Sequence, residues 1–125
     1  MPAVLHEEFS VHDLTQTDGT IAIDELTQVL HLTKTDLAAV LGMSRDSLSK
    51  STRLSSMTTQ RKLRDFVDIL TRVTPWAGSV PQAFAWFCAQ PLPSFGDQTP
   101  ADLMREGRED AVKSYISRIT VGGYA

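Results

Sequence analysis

Few residues in this chain of 125 are equipped for covalent chemistry. The one cysteine, Cys88, lies in the apolar run AFAWFC, where buried filler rather than a thiolate nucleophile is expected. His6, His12 and His31 are scattered at spacings that match no zinc site. There is no glycine-rich phosphate loop and no pair of carboxylates patterned for acid–base work. Catalysis is therefore not expected, nor is a metal or a cofactor. What remains are residues suited to holding a partner. One set runs from Ser44 to Arg53 and is polar and partly basic. The other is the C-terminal strip Val121, Gly122, Gly123, Tyr124 and Ala125, where a glycine C-cap signal leads into a short flexible segment with one aromatic.

The composition, 42% hydrophobic with a net charge of −3, describes a soluble globular protein with a real core. No apolar run approaches the roughly 18 to 20 residues of a membrane span, and the acidic start, Glu7 and Glu8, lacks the layout of a signal peptide. A cytoplasmic location is expected. The charge is unevenly spread. Residues 1–30 carry six carboxylates and no Lys or Arg, whereas residues 31–80 carry eight basic residues against four acidic ones. A basic middle suits a phosphate-facing surface, and equally a solvated one.

The elements that must position these sets are all helical. Residues 1–20 have weak periodicity, with Phe9, Val11 and Leu14 as anchors, and read as a loosely ordered segment. Ile21, Ile23, Leu26, Val29 and Leu30 predict a helix ending at His31. Thr35 is placed to cap a second helix to Leu41, and Ser44 a third from Arg45 to about Ser51, with Gly42 turning between them. After a polar linker, Leu63, Phe66, Val67, Leu70 and Val73 form the stripe of a long helix, Thr59 to Val73, ended by Pro75 and Gly78. Pro81 to Gln90 is apolar around most of its circumference, which marks a core centre or half of an interface and predicts a dimer. Trp76 and Trp86 read as core aromatics. Thr99, Pro100 and Asp102 form a sharp helix start, Gly107 interrupts, and Ala111, Val112, Tyr115, Ile116 and Ile119 line a last amphipathic helix. The fold class is all-α, with an N-terminal helix-turn-helix domain over 21–75 joined by the long helix to a small C-terminal helical domain over 76–125.

In the segment KTDLAAVLGMSRDSLSKSTR, Ala38 allows a close helix crossing, Gly42 accepts positive φ, and Met43 and Leu48 fill the angle. The same pattern also serves as an ordinary packing corner in all-α domains. It resembles the helix-turn-helix of Xre-type regulators, in which the second helix enters the major groove. The resemblance implies that Ser44, Arg45, Asp46, Ser47, Ser49 and Lys50 lie at or near DNA, with Arg53 on phosphate. Asp46 departs from a phosphate-friendly pattern unless it accepts from a cytosine amino group.

The run from Pro81 to Ala125, with Thr99, Pro100, Leu103, Glu106, Gly107, Val112, Tyr115, Ile116 and Gly122 in order and spacing, resembles the toxin-binding domain of the MbcA/ParS/Xre antitoxins. Such antitoxins usually carry a helix-turn-helix of the kind just described. The resemblance implies an antitoxin paired with a RES-domain toxin that acts on NAD, by degrading it or by transferring its ADP-ribose to a protein. It further implies that the C-terminal segment lies in or near the toxin's active-site cleft and that the helix-turn-helix represses the shared operon. The chemistry of the segment suits that place: Gly122 and Gly123 allow close approach, Tyr124 can stack or hydrogen-bond, the Ala125 carboxylate can pair with a basic group, and Arg118 and Thr120 can bond the rim. A stand-alone Xre-type regulator, whose C-terminal domain only oligomerises, is the alternative.

Overall fold

The computed structural model describes Leu14 and residues 20–121, with side chains as far as Ile119. The tail, Gly122 to Ala125, and most of the segment 1–20 lie outside the described residues. The fold is all-α. The helices are α1 (Ile23–Leu30), α2 (Lys34–Leu41), α3 (Asp46–Ser49), α4 (Ser51–Leu54), α5 (Met57–Ala77), α6 (Val80–Ala89), α7 (Pro100–Arg105) and α8 (Glu109–Val121). Among the described residues the only β pairing is an isolated bridge between Leu92 and Gln98, which flanks a 3₁₀ turn at Pro93–Phe95.

The helix ends differ from the sequence expectation where two capping signals compete. His31, in the left-handed conformation at φ 58, closes α1, and its N–H returns to Gln28 and Thr27. That frees Thr33 to cap α2: its hydroxyl accepts from the Asp36 N–H at 3.0 Å, so Thr33 takes the role expected of Thr35. The third helix is also not what the spacing predicts. Lys50 is extended, at φ −96 and ψ 126, and splits the expected Arg45–Ser51 helix into two single turns, α3 and α4. Ser44 does not cap through its hydroxyl, which pairs instead with that of Ser47 at 2.9 Å.

The long helix starts two residues earlier than expected, capped by Ser56, and outlasts Pro75. Proline supplies no N–H at that point, but Val73 and Thr74 are buried and hold the turn, and the helix stops at Gly78, whose N–H returns to the Thr74 carbonyl at 2.9 Å. At 21 residues α5 is about 31 Å long. It is the shared wall of the structure. One contiguous apolar cluster runs from Leu14 to Ile116 along it, so both proposed halves rest on a single core. Phe66 is at its centre, fully buried, with its ring 5.1 Å from Phe87 and 6.1 Å from Phe84, both edge to face.

Two polar devices set the packing. Gln60, on the buried face of α5, accepts from the Ile21 N–H at 2.7 Å and donates to the Leu54 carbonyl at 2.7 Å, pinning the approach to α1 and the end of α4. On the other side, Lys62 donates to the Met104 carbonyl at 3.0 Å and lies 3.9 Å from Glu109, while Lys113 pairs with Asp65 at 2.6 Å. These pairs fix α8 alongside α5, running in the same direction.

Candidate functional site

The two sets of residues singled out in the sequence lie on different parts of the helical body. The first is the corner between α2 and α3. Ala38 and Leu48 are fully buried there and Met43 is half-buried, as a helix-turn-helix angle requires. Gly42 sits at φ 73, and a Cβ at that position would stand about 3.1 Å from the Arg105 Cα and Cβ. Glycine is needed both for the left-handed turn and for the approach of α7. Arg105 closes that contact, donating from Nη1 to the Val40 carbonyl at 3.1 Å. The corner is thus held by α7, a contact between positions 65 apart that no local spacing reveals.

On the outer side of this corner Ser44, Arg45, Ser49, Lys50 and Arg53 are exposed, and Asp46 and Ser47 are half-buried. The Ser49 hydroxyl donates back to the Arg45 carbonyl at 3.2 Å. All seven residues are therefore brought to one stretch of surface, but not along one helix. A four-residue α3 is only about 6 Å long, and Lys50 falls at its break.

The second place is the outer half of α8 and the helix start before it. Thr99 and Asp102 form a reciprocal capping box: the Asp102 N–H donates to the Thr99 hydroxyl and the Thr99 N–H donates to the Asp102 carboxylate, both at 3.0 Å. The N–H and hydroxyl of Thr99, together with the neighbouring Arg105 guanidinium, hold the Asp102 carboxyl below the usual carboxylate range. Arg105 also pairs directly with that carboxylate. After Gly107 turns the chain, Val112 and Ile116 of α8 are buried, while Ala111, Tyr115 and Ile119 are half-buried.

Along the outer side of α8 an open cleft of about 370 Å³ is lined by Pro93, Ser94, Tyr115, Arg118 and Ile119. The Arg118 guanidinium lies 5.8 Å from the centre of the Tyr115 ring, a cation–π distance. Of the residues expected to meet a toxin, Arg118 is exposed at this cleft and Thr120 lies in the last turn of α8. Gly122, Gly123, Tyr124 and Ala125 are outside the described residues. Pro93 and Ser94 were not legible as site residues, because only the 3₁₀ turn and the Leu92–Gln98 bridge bring them to α8.

Trp76 corrects the sequence reading: it is 40% exposed, whereas Trp86 is half-buried and packs against the core, and the two rings meet edge to face at 5.4 Å. The reason is the extra turn of α5, which carries Trp76 past the buried stripe. Cys88 is half-buried rather than buried, and desolvation pushes its thiol above the ordinary range. Among the described residues no group of three His, Cys, Asp or Glu is placed to hold a metal ion, and no helix is long and apolar enough to cross a membrane. No protein-family model, curated protein or solved structure matches the chain.

Proposed function

We propose that this chain is the antitoxin of a toxin–antitoxin pair. In this reading it is a non-catalytic, cytoplasmic protein that binds a RES-domain toxin acting on NAD and blocks its cleft. The observation that carries the reading is the arrangement of α7 and α8. A capping box sets the start of α7, two half-buried lysine contacts fix the first turns of α8 against α5, and α8 then runs along the open Tyr115–Arg118–Ile119 cleft as far as Val121. A rigid base beside an open cleft suits a segment that must be held and inserted into a partner.

Arg118 and Thr120 meet the toxin's rim in this proposal, and Gly122, Gly123, Tyr124 and Ala125 enter the cleft. Arg118 lies over a ring and, among the described residues, pairs with no carboxylate, so its charge is available to an acidic group on the toxin. The α2–α3 corner gives the same chain a nucleic-acid surface and so a means of repressing its own operon. The stand-alone regulator reading draws on the exposed Trp76, which stands against the half-buried Trp86 and offers an aromatic edge suited to self-association.

The test is co-expression of the full chain, or of a version stopped after Val121, with a RES-domain toxin from the same genome. Cell growth, NAD content and co-purification are measured. Neutralisation by the full chain and its loss on truncation are expected. Equal protection by the truncated chain would remove the cleft-blocking segment from the mechanism, and failure of the full chain to bind the toxin would leave the regulator reading.

A further inference from the structure

The twelve basic side chains divide by what occupies them. Lys34, Lys62, Arg72, Arg105 and Lys113 each lie within ion-pair distance of a carboxylate. Arg108 and Arg118 lie over the rings of Phe95 and Tyr115, and Arg64 is engaged as well. The remaining four, Arg45, Lys50, Arg53 and Arg61, are all exposed, and among the described residues none forms an ion pair. They fall within one stretch of chain. The same stretch holds nine Ser or Thr between positions 44 and 59 and a single carboxylate, Asp46.

The stretch is compact as well as continuous. The Leu54 N–H donates to the Lys50 carbonyl at 2.8 Å, which winds α4 back on the break. Gln60, the neighbour of Arg61, donates to the Leu54 carbonyl at 2.7 Å, which draws the first turn of α5 against the end of α4. Exposed cations beside the exposed hydroxyls of Ser51, Thr52 and Thr58, with almost no competing carboxylate, make a surface chemically matched to phosphate oxygens. It is poorly matched to reading bases along a groove, since α3 is a single turn and Lys50 lies outside it.

We infer that residues 44–61 form a surface directed at the phosphate backbone of duplex DNA, that Arg61 of α5 belongs to it, and that Lys50 contacts phosphate rather than a base edge. This deepens the nucleic-acid part of the proposed function and rests on it. The share of the affinity that these residues supply comes from counterion release and changes little with sequence.

The full chain is titrated, over a range of salt concentrations, against two short fluorescent duplexes of unrelated sequence and against polyglutamate as an acidic polypeptide. Both duplexes are expected to bind with comparable affinity. The logarithm of the binding constant should fall against the logarithm of salt with a slope of about −3.6, four phosphates at about −0.9 each. Arg61→Gln, Lys50→Gln and Arg53→Gln should each make that slope shallower by about 0.9 on both duplexes, and Arg72→Gln, which removes a paired cation, should not. An unchanged slope for Arg61→Gln, a strong preference of the wild-type chain for one duplex that Lys50→Gln abolishes, or binding to polyglutamate but to neither duplex would each overturn the inference. Toxin neutralisation by Arg61→Gln, run in parallel, separates the two ideas. If neither duplex binds while the toxin is neutralised, the phosphate surface is wrong and the antitoxin stands. If the titrations come out as expected while no toxin is bound, the antitoxin reading is the one that fails.

Discussion

Two helix corners in this molecule are built from similar parts and stabilised differently. At the α7–α8 corner the capping box is complete, Lys62 of α5 is satisfied by Met104 and Glu109, Lys113 by Asp65 of α5, and Leu103, Met104, Val112 and Ile116 are buried. At the α2–α4 corner the expected cap does not form, the helix breaks at Lys50, and α4 contributes no fully buried residue. The first corner uses its charges internally and the second leaves them exposed. Cations already paired within the protein add to its rigidity, while unpaired ones are available to a partner. The contrast fits a molecule whose C-terminal half supplies a rigid base and whose α3–α4 edge supplies an adaptable polar surface.

The comparison can be broken or sharpened by substitution. The largest effect is expected at the element common to both corners: Phe66→Ala should cost about 3–5 kcal/mol in urea unfolding, because it empties the fully buried contact with Phe87 and Phe84. If the two corners were independent domains, only part of the cooperative transition would move.

Next comes the joint between them. Gly42→Ala should cost about 1–2 kcal/mol from its left-handed backbone alone, and more from the Cβ meeting the Arg105 backbone. Gly96→Ala, with φ +67 and open space around it, provides the control for backbone strain alone. Equal losses for the two variants would mean that α7 gives way at no cost and does not hold the turn.

A smaller and sharper contrast is expected between the two caps. Thr99→Ala should destabilise by about 1 kcal/mol, and Ser44→Ala by no more than about 0.5 kcal/mol, since only Thr99 receives a helix N–H on its side chain. Thermal unfolding of the pair checks this, and a Ser44→Ala loss as large as that of Thr99→Ala would show that the cap at α3 is made in solution.

The smallest effect is in pH dependence. The Asp102 carboxyl is lowered in the folded protein, so its contribution is present above the unfolded-state pKa and is lost as pH falls through the lower folded value. The acid limb of the stability curve should therefore flatten modestly in Asp102→Asn. Cys88 has the opposite sign: its raised thiol pKa means that the unfolded chain ionises first, so stability falls as pH rises past 9.0, the ordinary thiol value. Cys88→Ala should remove that alkaline slope, as followed by denaturant melts.

Local chemistry made much of this architecture legible. Thr99-Pro100-x-Asp102 specifies its own helix start, because every group in the capping box lies within four residues, and α7 begins where that signal places it. The stripe of α5, the apolar faces of α1 and α8 and the glycine turn at position 42 likewise follow from spacing alone, since a helix brings positions three and four apart to one face. The sequence also named the residues at the outer corner from Ser44 to Arg53, with Arg45 to about Ser51 as one helix rather than two turns. What only the tertiary structure decided is where competing local signals were resolved and which long-range contacts formed. Thr33 over Thr35, the break at Lys50 and the survival of α5 past Pro75 each depend on which neighbour is buried or bonded. Gln60 reaching Ile21 and Leu54, Arg105 seated on Val40 and Gly42, and Trp76 carried out to the surface depend on contacts between residues far apart in the chain. No period in the sequence encodes those, because their energy exists only once the helices have packed.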